Sequence, residues 1–479
     1  MSCELRRRDF LGLVAGGGLA CLAGPAMTAF GAGRNGTELI SPGCRTSKVK
    51  VARIFMGTEH GLWPRPNLDL EKEVKRYKSE FARFSDELCD VDFTVDTLVK
   101  SAKEVEPLKG RLQDVDGILA IHLNIGIRGI VRELLKVDKP TTVFAVPYSG
   151  HEWVGFGRLQ KQDLGSKLTC KLTSDHSQLA AAIRPFRAIH HLREAKILDL
   201  TTRFRQGYAE QMKKKFGTEI TQVKLDRVLK LCDAVDEKAA RAEAQRWVEN
   251  AEKVMEPTKE EVVRSARLAL AFEKLLEAEQ ATVMTADCYG SMYKPLCKSY
   301  AFPCLGFARL NNMGLGGICE SDLSCAMTHI LFQGLTGKPG FISDPTIDES
   351  DNTIILAHCL GTPKMDGPDG PIAPYNLRYV MERRDGVVTQ VTMRHGQKVT
   401  QGVLVGTNTL PYFTGKIVAT PHIERGCRTK ATVKIDGDAE KLWKNWSAGL
   451  HRVTVYGDII QELQDFCRFT DIKMVNEAV

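Results

Sequence analysis

The amino-acid sequence predicts an α/β protein in three parts: two doubly wound domains with parallel sheets, followed by a β-rich, barrel-like domain. Two observations lead to this prediction. Short apolar runs alternate twice with helical segments, which is typical of a parallel sheet covered by helices. After about residue 338, short extended runs are separated by Gly, Pro and Asp, which is typical of a sandwich or barrel. The predicted domains are residues 48–190, 191–340 and 341–479.

Apolar periodicity predicts the elements of the two α/β domains. In the first domain the predicted order is strand 49–55, helix 68–86, a buried strand within 114–123, helix 129–137 and strand 141–146. In the second domain it is strand 196–200, helix 205–216, an extended piece over 220–228, helices 234–256 and 257–281, and a strand within 281–288. A helix over 322–335 follows a Gly-rich turn and has an apolar face.

Short runs rich in β-branched and aromatic residues predict the strands of the third domain. These runs are residues 353–357, 377–382, 386–394, 401–406, 415–419, 430–434 and 451–456. Gly, Pro and Asp between them predict turns rather than helices.

Composition excludes several classes of protein. A net charge of +7 over 479 residues, without a long basic run, argues against nucleic acid as the main partner. The 14 cysteines include no closely spaced pair and match neither a zinc ribbon nor an iron–sulfur ligand set. Most of them are therefore interpreted as small buried side chains.

His190 and His191 lie in a charged helical segment and are expected at the surface.

Residues 1–33 are interpreted as a targeting segment. Arg7 and Arg8, followed by Asp9-Phe10-Leu11 and a short Gly-rich apolar run, resemble a twin-arginine export signal. The alternatives are a Sec signal, a short membrane anchor or, through Cys21, a lipoprotein signal. The twin-arginine interpretation implies export to the periplasm through that translocase. That pathway carries folded proteins and is favoured when a metal is loaded before export, since affinity alone favours copper and zinc over manganese.

Several common catalytic motifs are absent from the sequence. No GxGxxG turn follows a strand, so a Rossmann oxidoreductase is disfavoured. The sequence also contains no GxSxG elbow, P-loop or HExxH motif. Chemistry-bearing residues are instead concentrated in residues 285–359.

This stretch has a characteristic order of motifs. It contains Cys319-Glu320-Ser321-Asp322 before a helix, a strand that ends Gly340-Phe341-Ile342-Ser343-Asp344, the acidic turn 347–353, and a strand that ends Ala357-His358-Cys359. Near the C-terminus, residues 449–458 read GLHRVTVYGD. In order and spacing, these motifs resemble the L-fucose/L-arabinose isomerase family over about 190 residues, while the α/β parts match only in general layout.

The resemblance implies a site and a reaction. Glu320, Asp344 and His451 match the metal ligands, and His358 matches a histidine that ligates the metal in the arabinose type. Glu320 and Asp344 also match the acid/base pair that moves a proton between adjacent carbons through an ene-diol. The implied cofactor is Mn²⁺, with Mg²⁺ or Co²⁺ as alternatives, since such cations prefer oxygen-rich ligand sets. The implied assembly is a homo-oligomer, a trimer or hexamer.

The substrate is expected to be a free monosaccharide. Tyr289, close to Asp287 in sequence, and Trp446, an aromatic platform before the terminal histidine, are candidate sugar contacts. Ser321 departs from the Gly that the family has at this position. Two other functions stay open: an exported carbohydrate-binding protein on the same fold, and a metal-dependent epimerase or lyase acting on a modified sugar.

Overall fold

The structure, a computed structural model, describes residues 43–479. The predicted targeting segment over 1–33, with Arg7 and Arg8, lies outside the described residues. Over residues 43–479, every helix is too short or too polar to cross a lipid bilayer.

The first sheet is parallel and has five strands. They are β1 (Val49–Met56), β2 (Val91–Val99), β3 (Gly117–His122), β4 (Thr141–Ala145) and β5 (Leu168–Leu172), in the order β2-β1-β3-β4-β5. Side chains of β1 alternate between two hydrophobic clusters, with Ile54 in one and Phe55 in the other. Apolar burial on both faces of a parallel sheet gives the doubly wound arrangement that the sequence predicts. The α-helices of this region are Leu70–Ala82, Lys109–Leu112, Arg128–Leu135, Trp153–Leu159, Gln178–Ala181 and Arg184–Glu194.

The sequence prediction missed β2 and β5. Strand β2 lies at one edge of the sheet and includes Asp92 and Asp96, so its pattern is not that of a buried apolar run. Strand β5 lies at the other edge, has only five residues and includes Lys171. Edge strands are less apolar than central ones, and apolar runs alone do not identify them.

The second sheet is also parallel. Its strands are β6 (Lys196–Leu200), β7 (Glu219–Val223), β9 (Val283–Ala286) and β10 (Gly316–Cys319), in the order β10-β9-β6-β7. The short strand β8 (Lys253–Val254) pairs elsewhere, with a hairpin of the third region. The α-helices here are Gln206–Phe216, Leu225–Asp233, Glu237–Asn250, Lys259–Glu279, Cys304–Asn312 and Leu323–Thr336.

Strand β10 corrects the prediction of a Gly-rich turn before Glu320. Gly316 and Gly317 pair with β9 and are buried. A Cβ on Gly317 would lie 2.4 Å from the Cα atom of Phe307. Glycine is therefore required because a helix backbone packs directly on this strand.

The third region contains a closed antiparallel barrel. Six strands form it: β11 (Phe341–Asp348), β12 (Thr353–His358), β15 (Lys398–Gly402), β16 (Thr409–Ala419), β17 (Thr429–Ile435) and β18 (Arg452–Tyr456). Their order is β15-β18-β11-β12-β17-β16, and pairing of β15 with β16 closes the ring. Strands β13 (Tyr375–Val380) and β14 (Asp385–Val391) form a separate hairpin, and β19 (Lys473–Asn476) pairs with β16. Helices Ala439–Asn445 and Ile460–Thr470 complete the region. The predicted fold class, parallel α/β domains followed by a β-barrel, is confirmed.

Helix Arg184–Glu194 packs between helices of the second and third regions of the chain. It packs against helix Leu323–Thr336 and against the C-terminal helix Ile460–Thr470. His190 and His191 are therefore buried, and the expectation that they lie at the surface is wrong. The ring of His190 contacts Asp116 at 2.9 Å and the carbonyl of Ser47 at 2.8 Å. The predicted boundaries at 190/191 and 340/341 stay predictions.

Candidate metal and substrate site

Glu320 sits in a strained turn between β10 and the following helix. Glu320 and Ser321 have φ angles of 62° and 51°, in the left-handed region that disfavours residues other than glycine. Two contacts hold the turn: the Ser321 Oγ donates to Asp199 at 2.5 Å, and the Ser321 N–H donates to the carbonyl of Ala286 at 3.1 Å. Asp322 then caps the helix by accepting from the N–H of Cys325. Strain of this kind is concentrated at functional sites.

Three adjacent barrel strands bring the other predicted residues to this turn. Asp344 lies in β11, and its neighbours in the sheet are β12 and β18. His358 is the last residue of β12, one position beyond the partner of Asp344. His451 directly precedes β18, next to Arg452, which pairs with Ser343. Strand register therefore places one carboxylate and two imidazoles together.

The distances show a compact cluster. The Nε2 atom of His451 lies 3.2 Å from Asp344 Oδ1 and 3.8 Å from Glu320 Oε1. The Nε2 atom of His358 also lies 3.8 Å from Glu320 Oε1, and the two imidazole centroids are 5.4 Å apart. The structure thus brings together the four side chains that the sequence predicted to be ligands.

The carboxylates dominate the electrostatics of the cluster. Burial raises the pKa of Glu320; His451 opposes this shift, and Asp344 adds to it. For His451, burial lowers the pKa, but hydrogen bonds with Asp322 and Asp344 outweigh it and raise the value to about 10. Burial likewise works against the ionised form of Asp344, yet His451 and His358 hold its pKa below the usual range. The cluster therefore favours positive charge between its oxygens.

The donor atoms fit a divalent cation. His451 Nδ1 donates to Asp322 Oδ2 at 3.3 Å, which leaves Nε2 directed towards Glu320 and Asp344. Metal-bound histidines commonly use one ring nitrogen for the metal and the other for such a carboxylate. Two carboxylates and one imidazole would thus form the ligand set, with Asp322 orienting the imidazole.

His358 fits a different role from His451. The N–H of Leu360 donates to Nδ1 of His358 at 3.0 Å. Burial and the neighbouring His451 lower the His358 pKa to about 4, so the ring is neutral near pH 7. A neutral ring that accepts at Nδ1 carries its proton on Nε2, the nitrogen that faces Glu320. The ligand atoms of Glu320, His358 and His451 nevertheless lie within 4.8 Å of one another, so metal binding by His358 stays a prediction.

A cavity of about 610 Å³ adjoins the cluster. Its walls are formed by Thr201, Arg203, Arg205, Asp287, Glu320, Ser321, Asp322, Ser324, Val403, Gly449 and His451. The volume suits a small polar ligand. The sequence does not predict Arg203 and Arg205 as cavity residues, because only tertiary structure brings the loop after β6 to the Glu320 turn. Asp322 belongs to the predicted motif, but its contact with His451 likewise depends on tertiary structure.

Neither predicted sugar contact lines this cavity. Tyr289 lies under Arg383, whose guanidinium carbon is 4.9 Å from the ring centroid, and burial together with a Glu382 hydrogen bond raises the Tyr289 pKa. Trp446 donates from Nε1 to the carbonyl of Gly449 at 2.7 Å, and its ring covers the Arg452 guanidinium at 3.4 Å. In this structure Trp446 packs against the barrel. Substrate contacts by the two aromatic residues stay predictions.

Comparisons with known proteins give one informative similarity. No protein-family model matches the chain. The chain is 27% identical over 216 residues to sulfoquinovose isomerase from Clostridium sp. (strain MSTE9). The match covers 41% of this chain and 44% of that protein, so the chain spans less than half of the length of its relative. This similarity supports an isomerase of the sugar-isomerase kind at a coarse level.

Proposed function

We propose that this protein is a metal-dependent sugar isomerase that interconverts an aldose and a ketose through an ene-diol. The observation that carries the proposal is the convergence of Glu320, Asp344 and His451 beside a cavity that can hold a monosaccharide. Glu320 comes from a strained turn, Asp344 from β11, and His451 from the position directly before β18. Packing alone gives no reason for three such groups to meet, since burying charged groups is costly.

The side chains divide the chemistry between them. One of the two carboxylates, Asp344 in our assignment, removes a proton from the carbon next to the carbonyl, and Glu320 moves a proton between the hydroxyl oxygens. The Nε2 of His358 faces Glu320 Oε1 at 3.8 Å, and Asp322 holds the imidazole of His451 in position through Nδ1. When bound, a divalent cation, Mn²⁺ in first place and Mg²⁺ or Co²⁺ as alternatives, supplies positive charge that stabilises the developing enediolate.

The remaining parts of the proposal concern substrate, assembly and location. The substrate is a free monosaccharide, and the sulfoquinovose of the similar protein is one candidate. We propose a homo-oligomer, a trimer or hexamer, exported through the twin-arginine pathway to the periplasm. The family resemblance supports the assembly, and the Arg7-Arg8 motif supports the export route.

Solvent isotope exchange tests the proposed reaction. Wild type and Asp344→Asn are incubated with a panel of aldoses in D₂O at saturating Mn²⁺, and both deuterium uptake next to the carbonyl and ketose formation are followed. We expect wild type to form product with deuterium uptake, and Asp344→Asn to lose about 10²- to 10⁴-fold in rate, the usual contribution of a general base. Asp471→Asn is the control, because Asp471 is exposed and lies outside the cavity.

Each other outcome has a defined meaning. Equal uptake by wild type and Asp344→Asn excludes Asp344 as the base. Product without uptake indicates a hydride shift in place of the ene-diol. Neither product nor uptake with any sugar contradicts the isomerase proposal and favours the carbohydrate-binding alternative.

A further inference from the structure

Two arginines of the loop after β6 face the cavity, and the first already has its charge compensated. Arg203 donates to both carboxylate oxygens of Asp287, from Nε at 3.0 Å and from Nη2 at 2.8 Å. The N–H of Ser291 fixes the same carboxylate at 2.9 Å. Burial works against the ionised form of Asp287, but Ser291 and Arg203 hold its pKa below the usual range. The opposite charges of Arg203 and Asp287 therefore compensate each other in the wall of the cavity.

Unlike Arg203, Arg205 is held by a backbone carbonyl and an aromatic ring. Its Nη2 donates to the carbonyl oxygen of Ser321 at 3.0 Å, and its guanidinium carbon lies 5.2 Å from the ring centroid of Tyr208. Both contacts are with neutral groups. Over residues 43–479, no carboxylate forms an ion pair with Arg205. This guanidinium lines the cavity and acts electrostatically on the buried Asp199 carboxyl group, but it has no direct ion-pair partner in that part of the chain.

The position of Arg205 relates it to the proposed reaction. Ser321, which accepts its hydrogen bond, directly follows Glu320, and Arg205 and Glu320 line the same cavity. A sugar whose carbonyl end lies at Glu320 and His451 would therefore have other parts within the cavity that Arg205 also lines. The hydrogen bond and the tyrosine ring restrict the guanidinium before any ligand arrives, which reduces the entropy cost of binding.

We propose that Arg205 binds an anionic substituent of the sugar, so that the site prefers an acidic sugar to a neutral one. This inference rests on the proposed isomerase function, because it names the substrate class of the same cavity. A guanidinium offers a planar fork of donors that matches the oxygens of a sulfonate, phosphate or carboxylate. A neutral sugar offers Arg205 no anionic group with which to form a direct ion pair.

Equilibrium binding tests the inference separately from turnover. The Mn²⁺-loaded full chain is titrated calorimetrically with glucose and with its 6-sulfonate, 6-phosphate and 6-carboxylate analogues. The proteins are wild type, Arg205→Met, Arg205→Lys and a control, Arg132→Met, in which an exposed arginine of helix Arg128–Leu135 is replaced outside the cavity. We expect wild type to bind at least one acidic analogue about 10- to 100-fold more tightly than glucose, the usual effect of a charge-assisted hydrogen bond.

The variants separate substrate binding from a purely structural role. Arg205→Met should weaken the acidic analogue by a larger factor than glucose and so abolish the preference, and Arg205→Lys should restore part of it. The control should behave as wild type. The inference is overturned if wild type binds all four sugars equally, or if Arg205→Met weakens glucose and the acidic analogues by the same factor. Arg205-dependent binding without conversion of any sugar would support this inference and contradict the proposed isomerase activity.

Discussion

Asp199 connects the second parallel sheet to the turn that carries Glu320. It lies in β6, is 1% exposed, and accepts a hydrogen bond from the Ser321 Oγ at 2.5 Å. Burial raises the pKa of Asp199 to about 6; Ser321 and Arg205 oppose this shift, and Asp287 adds to it. Burial thus makes the Asp199 carboxyl group harder to ionise than in water, while its hydrogen bond with Ser321 supports a strained turn.

Replacing Asp199 with Asn should change the pH dependence of stability. The amide keeps an oxygen that accepts from Ser321, but it does not titrate. The folded pKa of Asp199 lies above the ordinary value of 3.8, so the folded state holds this proton more tightly than the unfolded state. Its stabilising effect is therefore complete below about pH 4 and is lost as the pH rises through about 6. Between pH 5 and pH 8 the loss amounts to about 1.4 kcal/mol.

Urea unfolding at pH 5 and pH 8 measures this effect. The tryptophan signal includes Trp247, which belongs to the same hydrophobic cluster as Leu198 of β6. Relative to wild type, Asp199→Asn should gain about 1.4 kcal/mol in free energy of unfolding on going from pH 5 to pH 8. Asp471→Asn should show no such change, because Asp471 is exposed. An unchanged difference between wild type and Asp199→Asn at the two pH values would refute a raised pKa at this position.

Three further predictions concern the metal site, the fold and export. Asp322→Asn should weaken Mn²⁺ binding about 10- to 100-fold, the usual effect of losing the carboxylate that orients a ligating imidazole, and unchanged affinity in a titration would contradict this role. Gly317→Ala should lower the thermal unfolding midpoint, since the new Cβ would lie 2.4 Å from the Cα atom of Phe307; an unchanged midpoint would show that the helix can move aside. Replacing Arg7 and Arg8 with Lys should leave the precursor in the cytoplasm if the signal is of the twin-arginine type, whereas fractionation showing normal export would indicate a Sec signal.

The sequence predicted those parts of the fold that depend on local pattern. Buried runs such as 49–55 have a clear apolar signature, and the central parallel strands follow from it. The glycines of β10 resemble a turn in sequence, because the reason for them is the helix that packs on the strand. Edge strands carry charged residues and have no such signature. Local periodicity therefore predicts the fold class but not every strand.

At the candidate site, too, the sequence predicted what local motifs determine and missed what depends on tertiary contacts. The order of short motifs predicted Glu320, Asp344, His358 and His451, which the structure brings together. The hydrogen bond from the Leu360 N–H to His358 and the orientation of His451 depend on contacts that sequence does not show. The same is true of Arg205, which reaches the cavity from a loop over a hundred residues earlier in the chain.

The central claim, that Glu320, Asp344 and His451 hold one divalent cation, can be tested directly by Mn²⁺ titration of the metal-free full chain, followed by electron paramagnetic resonance. We predict one Mn²⁺ per wild-type chain, and binding weakened about 100-fold or more in each of Glu320→Gln, Asp344→Asn and His451→Gln, since each removes a proposed ligand. Asp471→Asn should bind as wild type does. Absence of Mn²⁺ binding by wild type, or the same affinity in wild type and all three variants, would contradict the claim.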